Sequence, residues 1–136
     1  LLAFKQGITD DPAGLLDSWN KGEKDCCTWR GVRCSNQTGH VLAIQLRNNP
    51  RANDLDLDGG GTALTGQISP SLLSLHYLER LDLSMNNISG PTGRMPDSLG
   101  LLKNLRYLNL SGMPFFGTVP PHLGNLSKLH YLDRCV

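Results

Sequence analysis

The sequence predicts an α/β repeat solenoid, in which about three to four similar coils stack and lay their strands side by side in a parallel sheet on the concave side. Three observations carry this. The first is a leucine rhythm: Leu75, Leu78, Leu81 and Leu83 are followed by Asn86, Ile88 and Gly90, and the spacing returns at Leu102, Leu105, Leu108 and Leu110, then at Leu126, Leu129 and Leu132. Self-similarity at a period of about 24 to 27 residues marks a stacked repeat. The second is the punctuation at the ends of coils, Gly66 to Pro70, Gly90 to Pro96 and Gly117 to Pro120. Gly permits unusual dihedrals there, and Pro fixes an extended or turn conformation. The third is a group of closely spaced cysteines, Cys26, Cys27 and Cys34, ahead of the repeats.

The coil has a simple chemistry. A spacing of two, as in Leu81/Leu83 or Leu108/Leu110, puts both side chains on one face of a short strand. One coil cannot bury its leucines alone, so the coils must stack into a continuous core. Asn86 sits where the strand bends away, and its amide can satisfy backbone groups that the turn leaves unpaired. In the coil from Leu102 the frame places Met113 where Asn is expected, so one rung of this polar ladder is missing.

Length and composition set further bounds. At 136 residues the chain is one domain at most. Its 13 basic and 12 acidic residues leave a formal net charge of +1, which favours neither nucleic acid nor an anionic membrane surface. No run approaches the roughly 18 apolar residues of a membrane span. The opening, LLAFKQGITDD, has no basic start, long apolar stretch or small-residue cleavage site of a secretory leader.

In chain order, residues 1–19 read as an amphipathic helix, a turn and a second short helix. Leu1, Leu2, Phe4 and Ile8 share the first apolar face, Asp10 or Asp11 caps the second helix with Pro12 in its first turn, and Leu15, Leu16 and Trp19 pack inward. In Asp25-Cys26-Cys27-Thr28-Trp29-Arg30-Gly31-Val32-Arg33-Cys34 two readings compete. A zinc site with His40 as fourth ligand lacks the paired C-x-x-C halves of a structural site. A disulfide between Cys27 and Cys34, closing a small loop around Trp29, is favoured.

Together, the LLxFK opening, the Asp-Pro pair, Ser18-Trp19 and C-x-W-x-G-V-x-C resemble the N-terminal cap of plant extracellular leucine-rich repeat proteins. The Gly117-Thr-Val-Pro120 and Gly66-Gln-Ile-Ser-Pro70 endings resemble the plant-specific class of the repeat. That family comprises receptor-like proteins, receptor-like kinases and polygalacturonase inhibitors. The resemblance implies a helical disulfide cap at 1–39 that shields the first coil. Leucine-rich repeats then occupy 40–136, divided at about 40–74, 75–101, 102–125 and an incomplete 126–136. In family members with a double cysteine, the first pairs with a cysteine upstream of the first helix. Cys26 therefore lacks its family partner here, and both ends of the chain read as those of a fragment.

The first repeat strand falls in residues 40–49, with Ile44 and Leu46 inward and Asn49 at the asparagine position. An insertion follows before Leu64 resumes the frame. Its Asp54, Asp56, Asp58 and Gly59 resemble the start of a calcium loop, but the twelfth position is Thr65 where a bidentate Glu is required. The run Gly59 to Gly61 lacks the Lys-Ser/Thr of a phosphate loop. A surface insertion is the expectation. In the last coil Arg134 stands where an inward Leu belongs.

No catalytic motif set is present, the four histidines (His40, His76, His122, His130) do not share a face at ligand spacing, and neither an enzyme nor a cofactor or metal is expected. Four sequons, at Asn36, Asn87, Asn109 and Asn125, are candidate N-glycosylation sites. With a disulfide-type cap they favour a secretory route.

A binding surface remains. Outward residues of the concave sheet are expected at Leu42, Ala43, Gln45, Arg47 and Asn48, then Glu79, Arg80, Asp82, Ser84 and Met85, then Arg106, Tyr107, Asn109, Ser111 and Gly112, with His130, Tyr131 and Asp133 beginning a fourth row. Arg47, Glu79, Arg80, Asp82, Met85, Arg106, Tyr107, Asn109 and Tyr131 are the candidate ligand-binding residues, since interfaces favour arginine and aromatic side chains. A glycan on Asn109 would obstruct that face. The resemblance implies part of a receptor-like protein or kinase ectodomain at the outer face of the plasma membrane, recognising a protein, peptide or glycan cue in defence or developmental signalling, with a co-receptor kinase as a further partner. The alternatives are a secreted polygalacturonase-inhibitor-like defence protein and a structural or ice-binding segment.

Overall fold

The computed structural model describes residues 1–20, 25–48, 63–90, 93–115, 126, 128–129 and 131–133. The aspartate-rich insertion, Asn49, Gly117 to Pro120, Asn125, His122, His130, Arg134 and Cys135 lie outside the described residues. So do the side chains of Leu2 and of residues 131–133.

The chain opens with the short helix α1 (Leu2–Gln6) and strand β1 (Ile8–Asp10). The expected second helix is absent. Gly14 turns the backbone left-handed at φ 69°, and the Asp11 carboxylate instead accepts from the amides of Leu15 and Leu16, both at 2.9 Å. A helix needs continuous right-handed residues, so this segment folds as turns. Its apolar side chains still pack as expected: Phe4, Leu16 and Trp19 are buried. Trp19 lies 5.9 Å from the Phe4 ring and 5.5 Å from Trp29, and its Nε1–H donates to the Arg30 carbonyl at 2.9 Å. Ser18 Oγ accepts from the Arg30 amide at 2.9 Å, which explains why Ser18-Trp19 and the cysteine loop occur together.

The Cys27–Cys34 disulfide joins a 3-10 turn (Cys26–Thr28) to strand β2 (Val32–Cys34), with the Cα atoms 5.6 Å apart. Cys26 is a free, half-buried thiol among the described residues.

Strands β3 (Val41–Gln45), β5 (Arg80–Asp82), β7 (Tyr107–Asn109) and β8 (Tyr131–Asp133) run parallel, and β2 closes their sheet antiparallel to β3, in the order β2-β3-β5-β7-β8. The register aligns Ile44, Leu81, Leu108 and Leu132, and the first three of these side chains are buried in the interior. Leu46, Leu83 and Leu110 form the next buried row, with Leu78, Leu102 and Leu105 below it. The return segments are the 3-10 turns Pro70–Ser74 and Asp97–Leu101, not α-helices. The α content of this α/β solenoid is thus one short helix among the described residues.

A second sheet was not foreseen. It joins β1 to β4 (Thr65–Gln67) and β6 (Asn87–Ser89), with β1 antiparallel to β4 and β4 parallel to β6. Gly66 makes this possible, because a Cβ there would collide with the Gly7 carbonyl oxygen and lie 2.8 Å from Ile8 Cα. The glycine at the coil ending is therefore the seat of the cap strand.

Asn86 holds the two sheets together. Its Nδ2 donates to the carbonyls of Leu46 at 2.7 Å, Leu83 at 3.0 Å and Ser84 at 3.3 Å, and its Oδ1 accepts from the Leu64 amide at 3.0 Å. Every one of these groups is buried, where an unpaired amide or carbonyl is costly.

Candidate ligand-binding face

The solvent face of the five-stranded sheet is built by alternation. Residues flanking the inward leucines point outward, and the parallel register stacks equivalent positions into rows. The first row is Ala43, Arg80, Tyr107 and Tyr131, with Arg33 of β2 opposite Ala43. The second is Gln45, Asp82, Asn109 and Asp133.

In the first row the Arg80 guanidinium lies over the Tyr107 ring, 4.2 Å from its centroid. The cation and the electron-rich ring face attract, which fixes both side chains. Arg33, Arg47 and Arg106 are exposed, and Glu79 is half-buried. Arg33 was missed by sequence reasoning. The signal was available, since Val32 is buried and its neighbour must point the other way.

The second row is partly scaffold. Asp82 Oδ1 accepts from the Ser84 amide at 3.0 Å and from the Ser84 hydroxyl. One coil on, Asn109 Oδ1 accepts from the Ser111 amide at 3.1 Å and hydroxyl at 2.7 Å, while its Nδ2 donates to Tyr107 Oη at 3.4 Å. Both side chains thus bend the chain out of its strand. Asp82 keeps partial exposure, but Asn109 is only 2% exposed. Asn109 is a correction: its side chain is not an exposed element of the face. Ala43, Asn48 and Ser84 are likewise buried instead of presented.

Met85 is exposed and left-handed, φ 63°, at the position where the next coil has Gly112 at φ 70°. Its sulfur lies 2.6 Å from the point that a Gly112 Cβ would occupy. The glycine thereby admits the Met85 side chain across the coil boundary. For Tyr131 the backbone register places it beside Tyr107, and its side chain lies outside the described residues.

A further row borders the face three residues before each strand's first-row position. The His40 and Tyr77 rings stack at 3.9 Å and 17°, and Tyr77 is 53% exposed. Asn104 Nδ2 donates to the His76 carbonyl at 2.9 Å, and Lys128 Nζ donates to Asn104 Oδ1 at 2.8 Å. Sequence reasoning gave His40 no ring partner. The equal offset of His40, Tyr77, Asn104 and Lys128 from their strands was the missed signal.

Among the described residues no group of three or more His, Cys, Asp or Glu side chains could hold a metal ion, and no helix is long and apolar enough to cross a membrane.

The fold and its cap correspond to known families. The leucine rich repeat N-terminal domain matches residues 1–35, and the leucine rich repeat matches residues 77–102 and 104–126. This chain belongs to the leucine-rich repeat family. It has the cap-plus-repeat form that plant receptor-like proteins carry: it is 41% identical over 140 residues to receptor-like protein EIX1 of Solanum lycopersicum, a match covering 98% of the chain and 13% of that relative. The leucine-rich repeat chain thus spans a small part of the length of such relatives. Among solved structures it is similar to a chain of the BIR3–SERK2 complex from Arabidopsis thaliana (TM-score 0.76, 27% identity, 98% of this chain and 64% of that one). It is also similar to a plant ice-binding protein (TM-score 0.78, 28% identity, 97% of this chain and 37% of that one).

Proposed function

We propose that this chain is the cap and the opening coils, four with the last incomplete, of the extracellular part of a plant receptor-like protein or kinase, with the cap at 1–39 and the coils at 40–136. The exposed sheet face contributes to recognition of a protein, peptide or glycan cue, and a co-receptor kinase joins through the complete ectodomain. Arg33, Arg47, Arg80, Arg106 and Tyr107 are the contact residues, with Glu79, Met85 and Tyr131 beside them. Asp82 shapes the turn below the face. The similarity to EIX1 along almost the whole chain supports this reading most directly. A face rich in arginine and carrying an ordered arginine–tyrosine pair is the kind of surface that interfaces favour. No reaction is assigned to this segment, and defence or developmental signalling would follow from parts of the protein beyond it.

The test is topological. An epitope inserted in the turn at Gln37 of the full-length protein should be removed by trypsin applied to intact protoplasts. Survival of the epitope until the cells are lysed would contradict an extracellular position.

A further inference from the structure

Three of the four sequons lie among the described residues, and their asparagines differ in exposure. Asn109 is enclosed, with both ends of its carboxamide bonded to Ser111 and Tyr107. Asn87 is exposed on β6. Asn36 is exposed in the tight turn between β2 and β3, a turn held by the Ser35 hydroxyl, which accepts from the amides of Gln37 and Thr38 at 3.2 Å each, and by the Gly39 amide donating to the Ser35 carbonyl at 2.9 Å. Asn36 also lines an open hollow of about 490 Å³, whose other walls include the Cys27–Cys34 disulfide, Val32, Asp25, Arg33 and Ser35.

We infer that Asn36 carries an N-linked glycan whose first N-acetylglucosamine sits in this hollow against the Cys27–Cys34 disulfide, and that Asn109 carries none. The lining suits a sugar. Val32 and the disulfide offer apolar surface to the acetamido methyl and the pyranose face, and Asp25, Arg33 and Ser35 offer hydrogen-bond partners to hydroxyls. The donor is a polyprenyl diphosphate-linked oligosaccharide. The Asn36 Nδ2 forms the bond to sugar C1, the C1–O bond to the diphosphate breaks, and the amide proton passes to a base of the transferase. At Asn109 the same bond would exclude the Tyr107 contact and force open the packing of neighbouring rows, so a chain modified there could not close this coil. Glycans then flank the sheet face and leave it bare. Cys27 and Cys34 both line the hollow, so the seated sugar shields the link that joins the cap to the sheet.

This inference rests on the extracellular reading, because only the secretory route supplies the donor. Site-resolved glycopeptide mass spectrometry on the full-length protein from plant cells tests it, with Asn87 as the internal reference. Asn36 and Asn87 should be occupied and Asn109 unmodified. Occupancy at Asn87 with a bare Asn36 would overturn the inference and spare the extracellular reading, whereas two bare sites would overturn both. A glycan on Asn109 would overturn the exclusion. The seating is read separately, as the rate at which a phosphine reductant opens Cys27–Cys34 in the native glycoprotein, in the enzymatically deglycosylated protein and in Asn36→Gln. The native glycoprotein should be reduced several-fold more slowly than the other two. Equal rates would overturn the seating.

Discussion

The coils that begin at Leu75 and at Leu102 share one leucine frame but are fastened differently. In the first, Asn86 reaches carbonyls of its own and the preceding coil and also the Leu64 amide at the edge of the second sheet. In the second, the equivalent residue is Met113, which is equally buried but contributes only apolar contact. The second sheet follows suit. Its parallel ladder includes β4 and β6, and the described residues after Met113, Pro114 and Phe115, form no strand that continues it. Pro114 has no amide hydrogen to donate. The leucines therefore set the stacking, while Asn86 adds buried side-chain hydrogen bonds that Met113 cannot make. A large apolar residue fills the space without replacing that tie.

The strongest test of this contrast removes the tie. Asn86→Met should lower unfolding stability by about 3 to 5 kcal/mol, because several buried backbone groups lose partners worth about 1–3 kcal/mol each. The shift would be read from urea midpoints of the whole chain. The turn positions come next. Gly112→Ala should cost about 1–2 kcal/mol in the same measurement, since an L residue at φ 70° is strained and its Cβ would press on the Met85 sulfur. Met113→Leu should change stability by less than about 1 kcal/mol, as expected where only volume is required. A loss comparable to that of Asn86→Met would erase the distinction between the coils. The smallest effect is a gain. Met85→Gly should stabilise by ~0.5 kcal/mol, because relief of a left-handed backbone slightly exceeds the added freedom of the unfolded chain.

Much of this was legible in the sequence because its causes are local and periodic. Leu81, Leu108 and their partners were placed inward by spacing, Asn86 by its position after the strand, and the Cys27–Cys34 link by its short loop around Trp29. The remainder depends on contacts between distant segments. Ile8–Asp10 has no strand pattern of its own and becomes a strand because Gly66 lets it approach β4. The second helix failed because the Asp11 carboxylate captured amides that the helix would have used internally. At the candidate face, alternation correctly turned Arg80 and Tyr107 outward but could not foresee that Asn109 would be spent on its own turn. Nor did it join His40 to Tyr77, because the insertion separating their coils hides the common register.

The central claim, that the arginine-bearing sheet face meets an extracellular partner, is tested most directly by site-specific photo-crosslinking on intact cells. A photoreactive residue would replace exposed Arg106 on that face or, as a control, exposed Leu101 on the 3-10 turn away from the strands. A discrete crosslinked species from position 106 and none from position 101 is the expected result. Crosslinks from position 101 alone, or equally from both positions, would contradict the assignment of the face.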